Sequence, residues 1–324
     1  MDYTLDKALK EVQKVIKEES GLLKTMEPEG LFGPVKYTLD LGGKRLRPLI
    51  VRLVQKAYNP KGALKDAAPL MKAVELFHNF SLIHDDLMDD APIRRGKPTV
   101  YKKWGSSQAV LSGDAMLIEA YACLGKAKPE LLPVYLKVFN DMATGVCAGQ
   151  QKDMEFEDKE LTEITMDDYL EMVSSKTAVL LVTSAMLGAI LGGIDDAEEG
   201  NLLTEAFVSF GTAFQVMDDY LDAFSDVIEF GKLRGGDILE GKKTFLLLHA
   251  YKKAPEEVER ILALEDDDLK VSEMIKLYQS TNADTTALDF VDWLTGRSIA
   301  ALADLSADTT LLQELIRSQL NRRS

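Results

Sequence analysis

"MKAVELFHNFSLIHDDLMDD", residues 71–90, decides the fold class. Leu76, Phe80, Ile83 and Leu87 recur at spacings of four, three and four, the period of an α-helix. Met71, Val74 and Phe77 add further apolar positions, so most of the circumference is apolar. Such a helix belongs among other helices. Its end is the opposite in character: Asp85, Asp86, Asp89 and Asp90 put four carboxylates within six residues. Asp85 and Asp89 share a face, and so do Asp86 and Asp90. Like charges at that spacing repel, and they sit at the negative end of the helix dipole. A divalent cation removes both costs, and hard cations such as Mg²⁺ take carboxylate oxygens, water and phosphate oxygens together. Pro92 stops the helix, and Arg94 and Arg95 follow, suited to gripping phosphate.

Outward from this stretch, helical periodicity continues through about a dozen segments. Those over 67–91, 105–125, 167–194 and 197–225 are apolar on most sides. Gly- and Pro-rich breaks separate the segments at 27–34, 59–62, 91–98, 192–193 and 230–236. No hairpin signal and no alternating strand pattern is present. The reading is one all-α domain over residues 1–324, an orthogonal helical bundle around a central cavity. The longest apolar run, Ala178–Ile194, holds three glycines and is marginal for a membrane span, so it reads as a core helix. The formal net charge of −15 argues against a nucleic-acid partner but not against an anionic substrate, which responds to local charge. Two cysteines, Cys123 and Cys147, are too few for a disulfide framework and are expected to be buried thiols. With no signal core at the N-terminus, the expected location is the cytoplasm. The triple aspartate at 266–268 reads as a solvated helix start.

"FQVMDDYLD", residues 214–222, repeats the acidic design. Asp218 and Asp222 are four apart at the end of another apolar helix, with Asp219 between them. Two such clusters facing each other would form a cage for Mg²⁺ around a diphosphate. Basic stretches supply the complement. Lys44, Arg45 and Arg47 stand at a helix start after two glycines. Lys176 and Thr177 interrupt an apolar helix, and Lys232, Arg234, Lys242 and Lys243 lie in a Gly-rich loop past the second cluster.

In chain order, "GGKRLRP", "LFHNFSLIHDDLMD", "RRGKPT", "LSGDAML", "GQQKDMEFE", "SSKTA", "FQVMDDYLD" and "FGKLRGGDILEGKKT" resemble the trans-prenyl diphosphate synthases, or polyprenyl synthases, over about residues 40–250. The resemblance implies a transferase that condenses isopentenyl diphosphate with C5, C10 or C15 allylic diphosphates. Asp85, Asp89 and Asp218 are then the Mg²⁺ ligands, with Asp86 and Asp222 in support. About three Mg²⁺ per site are implied, with Mn²⁺ as a substitute. Arg94, Lys176, Lys232 and Lys242 would grip the allylic diphosphate. Lys44, Arg47, His78 and Arg95 would hold isopentenyl diphosphate, and Thr177 and Gln215 would line the reacting carbons. Gln150 and Asp153 support the site, and a homodimer is implied.

The growing tail should run back along the first helix past Ser81, Phe80, Phe77 and Val74. Phe80, five residues before Asp85, stands about 7.5 Å along the axis and reads as a floor. In the family, an aromatic there resembles enzymes making the C20 product, with C15 next and longer chains after. A class I terpene cyclase shares the fold and the first motif but would lack "GGKRLRP" and "DDYLD". A non-catalytic subunit tends to lose an aspartate motif, and both motifs are intact here.

Overall fold

The computed structural model describes residues 3–225 and 235–321. Its helices are, in order, α1 (Leu5–Leu23), α2 (Glu29–Asp40), α3 (Leu46–Tyr58), α4 (Leu64–Met88), α5 (Val100–Trp104), α6 (Ser106–Leu124), α7 (Leu132–Asp158), α8 (Met166–Val173), α9 (Val179–Gly192) and α10 (Ala197–Phe224). After the second acidic cluster come α11 (Gly236–Leu239), α12 (Phe245–Lys253), α13 (Pro255–Leu262), α14 (Asp267–Ser280), α15 (Ala283–Ala303) and α16 (Thr310–Leu320). Helix starts follow the local chemistry. Thr165 and Asp168 form a reciprocal capping box at α8. Asp266 accepts from Leu269 N at the start of α14, so the triple aspartate is the helix start its sequence implies.

α4 packs against α1, α3, α6 and α9, which is why it is apolar on nearly every side. α9 lies among α3, α7 and α10, and α10 packs along α15. α8 and α9 are joined by one π-helical turn, Ser174–Ala178, into a single rod, Met166–Gly192. That rod is long and apolar enough to cross a membrane by composition, yet Leu180, Leu181, Ala185, Leu187 and Ala189 are buried by neighbouring helices. Gly188 lets α3 come close: a Cβ there would stand 2.5 Å from Val51 O.

Two expectations change. Residues 93–98 form a small antiparallel hairpin, with Ile93 opposite Pro98 and Arg94 opposite Lys97. Arg95 and Gly96, at φ 51° and 71°, make its two-residue turn, and both left-handed positions match the twist of paired strands. Two-residue strands are too short to show an alternating pattern. Cys147 is exposed on α7, whereas Cys123 is buried as expected. Apolar neighbours in sequence did not distinguish the inner from the outer face of α7.

Candidate active site

The C-terminal turn of α4 forms one wall. Asp86 is buried and turned away from its neighbours, toward the hairpin, where Arg94 Nε donates to its Oδ1 at 2.7 Å. Burial pushes the Asp86 carboxyl up to about 6 against the pull of Arg94. Asp85 and Asp89 face Lys176 and Lys242. Lys176 Nζ donates to Asp153 Oδ2 of α7 at 2.6 Å and lies 3.1 Å from Asp85 Oδ1. Lys242 Nζ lies 3.4 Å from Asp89 Oδ2. Burial also raises the Asp89 carboxyl, and Asp85 beside it adds to the rise. Burial would lower the Lys176 ammonium, but Asp85 and Asp153 outweigh it and hold the ammonium above its ordinary value.

The end of α10 forms the facing wall. Asp218 is exposed, and Asp219 is buried behind it. Asp219 Oδ2 accepts from Tyr169 OH at 2.6 Å, and its Oδ1 accepts from Gln215 Nε2 at 2.9 Å. Burial, then the nearby Asp237, pushes Asp219 up to about 7. Asp222 Oδ2 accepts from Asp237 N at 3.0 Å, which ties α11 to α10. The two walls are bridged by adjacent residues of the π turn. Lys176 reaches the first cluster, while Thr177 Oγ1 donates to Gln215 Oε1 at 3.1 Å on the second.

Two glycines hold that turn in place. A Cβ on Gly149 of α7 would stand 2.4 Å from Lys176 N, and one on Gly211 of α10 would stand 2.6 Å from Ala178 Cα. The backbone of the π turn is therefore pinched between two helices at near contact. π turns of this kind recur at functional sites because they re-aim side chains out of helical register.

The GGKRLRP segment packs beside the hairpin. Arg45, at φ 51°, turns inward to pair with buried Glu75 and with Leu39 O. It therefore braces the segment and does not complete the anion site its sequence position suggested. Gly43, at φ 126°, lies directly under the Arg95 guanidinium, which would collide with a Cβ at 2.9 Å. Arg95 also donates to Gly42 O. Arg47 Nε is buried without a hydrogen bond, and burial lowers its pKa to about 10. His78 stands near Arg47, Arg95 and Arg94; burial and then these guanidiniums hold it well below its ordinary pKa. It is a neutral imidazole at physiological pH. Lys44 Nζ lies 5.4 Å from the centre of the Phe214 ring, next to Gln215.

One side of α4 carries a run of packed rings. Phe80 meets Phe77 edge to face at 5.2 Å, Phe77 meets Phe139 of α7 at 5.5 Å, and Phe80 meets His84 at 4.9 Å. Val74 is buried below them, and Ser81 Oγ caps His78 O at 2.9 Å. Lys232 lies outside the described residues.

Among the described residues no three carboxylate, imidazole or thiol groups converge tightly enough to enclose an ion unaided. The donors nevertheless suit Mg²⁺. Asp85 Oδ1 is buried with only the Lys176 ammonium beside it at 3.1 Å, and carboxylates at one end of each wall leave positions for water and phosphate oxygens, the mixed shell Mg²⁺ favours. Of the predicted residues, the structure brings together Asp85, Asp89, Lys176, Asp153 and Lys242, and joins Thr177 to Gln215. Asp86 is committed to Arg94, and Gln150 shows a buried Nε2 without a hydrogen bond. Sequence reasoning assigned nothing to Tyr169, Gly149 or Gly211. The available signal was a glycine inside an apolar helix, which needs a packing reason.

The profile of the Polyprenyl synthetase family matches residues 28–280. The Methanosarcina mazei geranylgeranyl diphosphate synthase is 42% identical over 234 residues, 72% of this chain and 71% of that one. The Natronomonas pharaonis geranylfarnesyl diphosphate synthase is 33% identical over 303 residues, covering 88% and 86%. A crystal structure of a geranylgeranyl pyrophosphate synthase superimposes with a TM-score of 0.91 at 37% identity, over 100% of both chains. The helical bundle, its paired acidic walls and these similarities together place the chain in the polyprenyl synthetase family, as a short-chain trans-prenyl diphosphate synthase.

Proposed function

We propose that the chain condenses isopentenyl diphosphate head-to-tail with allylic diphosphates and releases the C20 product, geranylgeranyl diphosphate. The observation that carries this is the bridge: Lys176 on the first acidic cluster and Thr177 on the second are consecutive residues of one π turn. Asp85, Asp89 and Asp218, supported by Asp222, would hold Mg²⁺, with Mn²⁺ as a substitute. When bound, the metal neutralises the diphosphate as it departs. Lys176, Lys242 and Arg94, each beside a carboxylate of the first cluster, would take the departing phosphate oxygens. The allylic C–O bond breaks, the double bond of isopentenyl diphosphate attacks the resulting cation, and the new unit gives up a proton to the released pyrophosphate. Thr177 and Gln215 present oxygens beside the reacting carbons and stabilise positive charge there. Arg47, with its unpaired Nε, and neutral His78 suit the second diphosphate. Buried apolar walls keep water from the cation.

The C20 assignment rests on Phe80 and Phe77, whose rings meet edge to face on α4 and would end the path of the growing tail. A second copy of the chain would cover Val110, Leu111 and Ile118 of α6 and Val134 of α7, large apolar side chains left exposed. The test incubates purified protein with Mg²⁺, isopentenyl diphosphate and each of the C5, C10 and C15 allylic diphosphates, and sizes the dephosphorylated products. A C20 alcohol is the expected product. Products beyond C25 refute the floor, and no consumption of isopentenyl diphosphate refutes the reading.

A further inference from the structure

We propose that Tyr169 and Asp219 are positioning residues that set the polarity of the Gln215 amide, and through it the orientation of Thr177. Four side chains form a continuous line. Tyr169 OH donates to Asp219 Oδ2 at 2.6 Å, and Gln215 Nε2 donates to Asp219 Oδ1 at 2.9 Å. Thr177 Oγ1 then donates to Gln215 Oε1 at 3.1 Å. Phe245 N, at the start of α12, also donates to Asp219 Oδ2 at 3.4 Å. The line therefore runs from α8, through α10, to the π turn that carries Lys176.

The chemistry of each group fixes the direction. Both Asp219 oxygens act as acceptors here, Oδ2 toward Tyr169 OH and Phe245 N and Oδ1 toward Gln215 Nε2. Gln215 must therefore offer its NH₂ to Asp219, and its carbonyl oxygen is left for Thr177. A free amide would be stable either way round. With the amide reversed, an NH₂ would face the reacting carbons, where positive charge develops and a donor is unfavourable. Asp219 and Tyr169 are buried, Asp219 at 5% and Tyr169 at 2% exposure. Asp219 thus serves the reaction from behind the wall, unlike Asp218, which is exposed on it. This division explains why the middle aspartate of "DDYLD" is oriented by a tyrosine and a backbone N–H.

The proposal rests on the chain-elongation reading. Consumption of isopentenyl diphosphate by the unaltered protein tests that reading separately, and each variant is measured against it. In Asp219→Asn the side-chain oxygen is expected to stay with the two donors Tyr169 OH and Phe245 N. The new NH₂ then faces Gln215 and reverses its amide. The expected result is a fall in kcat of about ten- to a hundredfold, the value of one or two hydrogen bonds near charge, with KM and the Mg²⁺ half-saturation within about twofold. The double variant Asp219→Asn, Gln215→Glu restores an acceptor facing Thr177 and should recover most of the lost kcat. Tyr169→Phe, which removes one hydroxyl and keeps the ring, should lower kcat about threefold to tenfold with unchanged KM. It carries the test where Asp219→Asn does not fold. A raised Mg²⁺ requirement in Asp219→Asn, with kcat retained at saturating metal, would overturn the proposal and make Asp219 a metal ligand. No recovery in the double variant, or full kcat in Tyr169→Phe, would overturn it equally.

Discussion

Gly149→Ala adds one methyl group to α7, and the structure says where it goes. The new Cβ would stand 2.4 Å from Lys176 N, 2.7 Å from Lys176 Cα and 2.7 Å from Ser175 C. These are backbone atoms, so no rotamer change relieves the contact. Ordinary van der Waals separation requires α7 and the π turn to part by about 1 Å. Overpacking of this kind costs about 1–3 kcal/mol, and the better helix propensity of alanine returns about 1 kcal/mol. The protein should stay folded, destabilised by about 0–2 kcal/mol. The activity should suffer far more. Lys176 is held between Asp153 at 2.6 Å and Asp85 at 3.1 Å, and Thr177 against Gln215 at 3.1 Å. Displacing the turn by about 1 Å disturbs all three contacts, and misplacement on that scale costs about a hundredfold in rate. The assay is product formation at saturating substrate, with a urea denaturation curve on the same sample. Gly145→Ala is the control. One turn earlier on α7, its Cβ would meet only the Val179 side chain, at 3.4 Å or more, and kcat should hold within about twofold. If Gly149→Ala keeps the unaltered kcat, the pinched turn does not position Lys176 and the reasoning fails.

Three further outcomes are expected. Phe80→Ala should lengthen the product by one or more C5 units, since the ring closing on Phe77 is removed; an unchanged product refutes the floor. Arg45→Ala should cost about 3–5 kcal/mol in urea denaturation, because Glu75, side chain 3% exposed, loses its partner inside the protein. A shift under about 1 kcal/mol would mean that water replaces the guanidinium. His78 has a depressed pKa in the folded state, so only the unfolded chain takes up its proton near pH 6.5. Its contribution is fully present above that pH and is lost as pH falls below it. His78→Gln should therefore lose less stability than the unaltered protein between pH 7.5 and 5.5, and an equal loss contradicts the burial argument.

How much of this was legible in the sequence depends on the range of each interaction. The helical segments follow from local periodicity: the spans expected at 67–91, 105–125 and 197–225 fall at 64–88, 106–124 and 197–224. The acidic clusters are equally local, since four-residue spacing places Asp85 beside Asp89 whatever surrounds them. Partner choice is not local. Asp85, Asp86 and Asp89 are near-identical in sequence context, yet Asp86 turns to Arg94 because the hairpin rises on that side. The hairpin itself depends on two left-handed residues, and only Gly96 of the pair advertises that conformation. Arg45 is the left-handed cap of α3 and Arg47 stands two residues on in its first turn, and one is spent on Glu75 while the other keeps an Nε without a hydrogen bond near His78. Gly149 and Gly211 are the furthest from local. Each is an ordinary helix-interior glycine until the third helix arrives, and the close approach then selects against any side chain. The chemistry-bearing residues were therefore visible and the residues that aim them were not, because aim is a property of packed pairs of helices. In this fold the aim is concentrated in five residues, Ser174–Ala178, where the regular helix gives way and two consecutive side chains reach opposite walls.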